Sequence, residues 1–235
     1  MNGTLYGIGV GPGAEDLLTL RAVRLLARVD VILAAASPSN DYSAALETAR
    51  AHLRPDVEIV RLEFPMTRDK ARLHAAWTTA AATTASLLRQ GRNCAFLTIG
   101  DPLVYSTFAY LMRTLKEVAP ECAVEIVPGI TSFQAAAAAT GTVLCEAGEN
   151  LLVLPGINDA GTLERGLGMA DNAVILKAYR NFPVIRQAMR AAGRAEACIF
   201  ASRVERAETH IAHGLDGLPD KPPYMSLILS PARKG

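Results

Sequence analysis

Cysteine is scarce in this chain and poorly placed for chemistry. Its four cysteines, Cys94, Cys122, Cys145 and Cys198, are scattered and show no CxxC spacing, which argues against a zinc or redox centre built on sulfur. Three of them lie beside or inside apolar runs, the pattern of buried free thiols in a reducing cytoplasm. Excess charge is missing too. The formal net charge is +1, so no global field draws the chain to nucleic acid or to an anionic membrane. No apolar run approaches the roughly 20 residues that a membrane span needs. The opening "MNGTLYGIGV" carries no basic segment ahead of an apolar one and a cleavage site, as a secretory signal requires. There is no Gly-Lys-Ser/Thr for a Walker loop, no G-x-S-x-G elbow and no Cys–His pair that stands out.

What is present is an alternation of short apolar runs and helical stretches. The 235 residues are half hydrophobic and 20% charged, a globular composition. Strands are expected at 5–10, 29–35, 57–62, 93–101, 123–129, 150–155, 172–178, 197–202 and 224–230. Helices are expected at 18–29, 43–53, 69–90, 106–118, 132–140, 160–168 and 183–192, the first capped by Thr19 and the fifth ended by Gly141. Nearly continuous apolar strands separated by helices imply an α/β fold with sheets covered on both faces. About nine strands are many for one sheet. The "VPGITS" turn is therefore read as the hinge between two domains, 1–128 and 129–235.

Three loops break the pattern. The first follows "LYGIGV", where Gly7, Gly9, Gly11 and Gly13 alternate. Gly9-x-Gly11-x-x-Ala14 formally fits a dinucleotide turn. Pro12, however, removes an N–H where a pyrophosphate wants one. The next helix starts several residues too late, the second strand ends in "AAASPS" with no acid for a ribose, and Glu15 and Asp16 repel phosphate. A ligand loop for something without phosphates and a plain tight connection both remain open. The second loop, "TIGDPLVYSTF", sets Asp101 at a strand's carboxyl end, either to receive a ligand or to cap its own turn. The third, "IVPGITSF", opens a helix with Thr131 and Ser132, whose hydroxyls can cap it or hold a ligand's polar edge. Parallel strands bring such loops to one side of a sheet. Glycine backbone, one acid and two hydroxyls suit a nucleoside with a cationic or neutral tail better than a phosphorylated nucleotide.

"YGIGVGPGAEDLLTLRA", "GDPLVYSTFAYL" and "VPGITSFQAAAA", with "NLLVLPG", "VILKAYRN", "FASRVERAET" and "YMSLIL" after them, resemble the successive motifs of the tetrapyrrole methylases, the class III S-adenosyl-methionine-dependent methyltransferases. "LEFPMTRD", "YSTFAYL" and "PGITSFQAAAA" are similar to the branch that methylates carbon 20 of precorrin-2 or cobalt-factor II on the way to cobalamin. One departure is Ala14, where the family has an acid directly after Gly-Pro-Gly. The resemblance implies two α/β domains with the active-site cleft between them, a cytoplasmic homodimer and S-adenosyl-methionine as methyl donor, leaving S-adenosyl-homocysteine. It implies donor contacts at Pro12, Gly100, Asp101, Val104, Thr131, Ser132, Lys177, Ala201 and Ser202, with backbone near Ser226–Leu227 toward the adenine. Lys177 stands where the family often has an apolar residue. No metal and no general base are assigned.

A precorrin carries many carboxylates, so the chain must concentrate cations where it binds one. The candidates are Arg21, Arg68, Lys70, Arg180, Arg203 and Arg206, with Arg21, Arg180, Arg203 and Tyr105 foremost for the substrate. Phe108 and Tyr110 fit the buried face of their helix, and Trp77 is read as packing. "HIAH" places His210 and His213 at i, i+3, as if on one helix face. A metal site is conceivable there, but an exposed polar stretch is the simpler reading. The rival functions are methylation at another tetrapyrrole position (uroporphyrinogen III or precorrin-4), a nucleotide-binding reductase and a non-catalytic binding module.

Overall fold

The computed structural model describes residues 1–36, 43–156 and 159–232. The chain divides into two compact units, Met1–Thr131 and Ser132–Gly235. The first contains β1 (Thr4–Gly9), α1 (Leu20–Leu26), β2 (Val31–Ala36), α2 (Ala44–Ala49), β3 (Glu58–Glu63), α3 (Lys70–Arg89), β4 (Cys94–Thr98), α4 (Phe108–Val118) and β5 (Ala123–Val127). The second contains α5 (Ser132–Thr140), β6 (Leu151–Leu154), α6 (Ala160–Met169), β7 (Asn172–Leu176), α7 (Phe182–Ala191), β8 (Ile199–Ser202), β9 (His210–His213) and β10 (Ser226–Ser230).

Local chemistry sets the helix starts. The Thr19 hydroxyl accepts from the Ala22 N–H at 3.2 Å, and Ser43 does the same for Leu46 at 3.3 Å. Asp69 accepts from Ala71 and Arg72, and Asp159 from Thr162. Each such cap contributes about 1 kcal/mol. At the end of α5, Gly141 turns left-handed and the Thr142 N–H reaches back to the Ala137 carbonyl at 2.9 Å.

The first sheet is parallel throughout, in the order β3-β2-β4-β1-β5. The chain leaves β1 toward β2 on one side and leaves β4 toward β5 on the other. Helices consequently cover both faces. α1 and α2 pack with Ile8, Ile32, Ala95 and Leu97 on one face, and α3 and α4 with Leu5, Val31, Leu33 and Phe96 on the other. This reversal point is where open parallel sheets bind ligands.

The second sheet is mixed, in the order β6-β7-β10-β8-β9, with only β6 and β7 parallel. α6 and α7 cover the face with Ile175, Phe200 and Ile228. α5 lays Ala135, Ala136 and Ala137 against Val174, Ala201 and Leu227 on the other.

Two expectations fail here. "HIAH" is not helical but the edge strand β9, paired antiparallel to β8. Residues three apart on a strand face opposite sides, so His210 and His213 share no face. Tyr110 does not lie on the buried side of α4. It is 41% exposed and stacks flat on Trp77, with ring centroids 4.4 Å apart, while Phe108 takes the buried place. Of the "AAASPS" stretch that carries no acid for a ribose, Ser37–Ser39 lie outside the described residues.

Candidate functional site

The three unusual loops follow β4, β1 and β5, which are neighbours in that order, so one edge of the first sheet gathers all three. The loops touch through main chain. The Gly100 N–H donates to the Gly11 carbonyl at 2.8 Å. A Cβ on Gly9 would lie 2.4 Å from the Gly100 oxygen and 2.7 Å from the Gly129 nitrogen. No real Cβ tolerates that against backbone, so Gly9 is what lets the loops close together. Gly100 itself sits at φ +72°, a conformation that costs side-chain-bearing residues energy. Gly7 serves another purpose: its missing Cβ makes room for the Phe108 ring, and it has no part in a ligand loop.

Asp101 braces the loops it joins. One carboxylate oxygen accepts from the Leu103 N–H at 2.8 Å, within its own turn, and the other from the Gly129 N–H at 3.1 Å. The turn-capping role foreseen for it is real, and each oxygen retains a second lone pair for a ligand. Around it Pro12 and Thr131 are buried, while Val104 and Tyr105 are exposed. Tyr105 is held at φ +51°; left-handed non-glycine residues of this kind cluster at functional sites. The loop segments 10–19, 99–107 and 127–131 contain Glu15, Asp16 and Asp101 but no lysine or arginine.

The remaining predicted residues gather at one edge of the second sheet, apart from Ser132, which opens α5. There the carboxyl ends of β7 and β8 flank the start of β10. Lys177 and Arg203 immediately follow those strands, at φ +55° and +51°. The Ala178 N–H donates to the Ser226 carbonyl at 3.0 Å, and that of Arg203 to Met225 at 2.8 Å. Between them Ser202 faces Ser226 in register. Both serines are buried, and neither hydroxyl has a hydrogen-bond partner. Ala201 is fully buried against the α5 side.

The basic candidates separate. Arg21 is exposed on α1, and Arg68 and Lys70 are exposed at the start of α3. Arg203 forms an ion pair with Glu208, and Arg206 is half-buried. Arg180 is exposed and donates from Nε to the Tyr179 hydroxyl at 3.0 Å. Lys177 is also exposed as a residue. Partial burial of its ammonium, and then the neighbouring Arg180 charge, hold it below the ordinary lysine range. Tyr224 is likewise exposed as a residue, and partial burial of its phenol, followed by Tyr179, pushes it up. Tyr179 and Tyr224, whose rings lie 4.8 Å apart, were not singled out in the sequence. Nothing there signals that a tyrosine after β7 meets one ahead of β10.

A model of the tetrapyrrole (corrin/porphyrin) methylases matches residues 4–215. The cobalt-precorrin-2 C(20)-methyltransferase of Salmonella typhimurium is 34% identical over 234 residues, 97% of this chain and 96% of the relative. The precorrin-2 C(20)-methyltransferase of a Sinorhizobium species is 33% identical over 242 residues, 99% and 96% of the two chains. Among solved structures, the uroporphyrin-III C-methyl transferase of Thermus thermophilus complexed with S-adenyl homocysteine superposes with a TM-score of 0.68 at 24% identity. That superposition covers 97% of each chain.

Proposed function

Because the chain belongs to the tetrapyrrole (corrin/porphyrin) methylases, we propose that it transfers a methyl group from S-adenosyl-methionine to carbon 20 of precorrin-2 or its cobalt-bearing counterpart, in cobalamin biosynthesis. The observation that carries this reading is identity of 34% extending over nearly the whole of both chains with a relative of that activity.

The loop edge of the first sheet fits such a donor. Its floor is main chain, and the charged residues of its three loop segments are acids. That favours a positive sulfur and disfavours polyphosphate. When bound, S-adenosyl-methionine supplies a methyl group on a sulfonium that departs with the bonding electrons. The chain's own contribution is then positioning and exclusion of water. Holding the two reactants in line is worth up to roughly 7–11 kcal/mol of barrier in favourable cases, and no covalent residue is required. In this reading Pro12, Gly100, Asp101, Val104 and Thr131 hold the donor, and Ser132, Ala201 and Ser202 are the further donor residues proposed. Tyr105, Arg21, Arg180 and Arg203 serve the tetrapyrrole. The active form is taken as a homodimer in the cytoplasm. Buried Cys94, Cys122 and Cys198 support the reducing compartment, and light scattering tests the dimer.

The deciding assay supplies purified protein with labelled methyl donor and either metal-free precorrin-2 or its cobalt form. A single methyl at carbon 20 of one of them is the expected product. Methylation at a different ring carbon would move the chain to another branch of the family, and binding of NADPH in place of S-adenosyl-methionine would remove the reading altogether.

A further inference from the structure

The turn after β7 carries two cations, Lys177 and Arg180. Among the described residues neither Lys177 nor Arg180 forms an ion pair, whereas Arg203 at the equivalent turn after β8 is paired with Glu208. The turn is also built rather than loose. The Arg180 N–H closes it on the Lys177 carbonyl at 3.0 Å. Lys177 is kept left-handed, a strain of order 1 kcal/mol that the surroundings must impose. Gly156 is pressed against it: a Cβ there would lie 2.9 Å from the Lys177 oxygen and 3.3 Å from the Arg180 Cβ.

Aromatic rings fix the guanidinium. Arg180 lies over the Tyr179 ring, 5.7 Å from its centroid, and donates to the same residue's hydroxyl. Tyr224 packs against Tyr179 and is itself 61% exposed. The result is a small aromatic surface of two tilted rings, their planes 43° apart, edged by two like charges. Two cations held together without a counter-ion repel each other, in line with the lowered Lys177. That repulsion is relieved when an anion bridges them. Next to Lys177 on β10, the buried Ser226 hydroxyl has no partner.

We infer that Lys177 and Arg180 form a carboxylate-binding station for one acidic side arm of the tetrapyrrole, with Tyr179 and Tyr224 lying against the adjoining ring edge. This rests on the tetrapyrrole-methylating function proposed above and deepens it. It also moves Lys177 from the methyl donor, where the family resemblance places it, to the substrate. The chemistry favours this assignment: an ammonium close to a sulfonium is repelled, whereas a guanidinium and an ammonium side by side suit a carboxylate.

The test uses the full chain with Lys177→Gln, Arg180→Gln and the double variant. Arg190→Gln, an exposed cation of α7 paired with Asp216, serves as a control. Each single variant is expected to raise KM for the tetrapyrrole about tenfold, the scale of one charge-assisted hydrogen bond, with kcat changed far less. S-adenosyl-homocysteine affinity by calorimetry stays at the parental value. Arg180→Lys recovers part of the loss, and the control matches the parent. Binding of uroporphyrin III, a stable polycarboxylate porphyrin, is read in parallel by fluorescence and weakens in the same variants. An unchanged tetrapyrrole KM and porphyrin affinity overturns the station. So does a loss of S-adenosyl-homocysteine affinity on Lys177→Gln with substrate binding intact, which returns Lys177 to the donor. If the parent protein binds the porphyrin through these residues but methylates a carbon other than 20, the station stands and the carbon-20 reading falls.

Discussion

The Gly129 N–H donates to an Asp101 carboxylate oxygen at 3.1 Å, joining the loop after β5 to the loop after β4 across the end of β1. The other oxygen of the same carboxylate holds its own turn through Leu103. Asp101 is thus a clasp between two loops. Asp101→Ala gives up the exposed Leu103 N–H to water and leaves the part-buried Gly129 N–H without its acceptor, at a cost of about 1–3 kcal/mol. S-adenosyl-homocysteine affinity is expected to fall at least about tenfold by calorimetry, with a lower Tm. Asp101→Asn, which keeps one acceptor, falls between this variant and the parent.

Gly9→Ala tests the main-chain floor. The added methyl meets the Gly100 oxygen and the Gly129 nitrogen, both backbone atoms that cannot swing away. A loss of about 1–3 kcal/mol or more is expected from overpacking, accompanied by loss of donor binding. Gly7→Ala meets the Phe108 ring instead. It is expected to lower the denaturation midpoint while retaining more of the donor affinity. Equal effects of the two variants on donor affinity would refute the division of labour between these glycines.

The buried hydroxyls of Ser202 and Ser226 burden the free protein. An unpaired hydroxyl shut away from water costs about 1–3 kcal/mol. Ser226→Ala is therefore expected to raise urea stability by about 1 kcal/mol without ligand. For Ser202→Ala, measured again with saturating S-adenosyl-homocysteine, the gain shrinks if the donor engages that hydroxyl.

Thiol chemistry supplies a pH test. Burial pushes Cys94 and Cys198 up to about 12 and raises Cys122 in the same direction. Cys145 alone is exposed. An aromatic disulfide reagent at neutral pH is expected to titrate one thiol in the native protein and four after denaturation. The sign of the linkage follows from the raised native values. The advantage of a protonated buried thiol is fully present below about pH 9, where unfolded cysteine also keeps its proton. It is lost as pH rises from there toward 12, because only the unfolded chain ionises freely. Stability that rises over this interval would contradict the burial of these thiols.

Much of this fold is legible in the sequence itself. Apolar runs and cap residues placed nine strands and seven helices close to where they fall, because those signals are local. The three loops also declared themselves, since each ends an apolar strand with glycine or proline. The edge strand β9 did not. Its His-Ile-Ala-His is only half apolar, and partial burial on an open edge leaves no clean alternation. Tyr110 was misplaced because its partner, Trp77, comes from a helix some thirty residues away. The clasp by Asp101, the strain at Lys177 and the facing serines arise from strand order and register. Those are set by tertiary packing rather than by any neighbour along the chain.

The floor formed by Gly9, Gly100 and Gly129 has an asymmetric tolerance. Every residue except proline carries the same carbonyl and amide, so evolution can exchange side chains that point away from this floor without altering it. What it cannot do is add a carbon atom at Gly9 or Gly129, where it would meet backbone; Gly100 is restricted instead by its left-handed backbone. The floor is protected against drift by having no side chains there to lose, and it is vulnerable to the smallest possible gain.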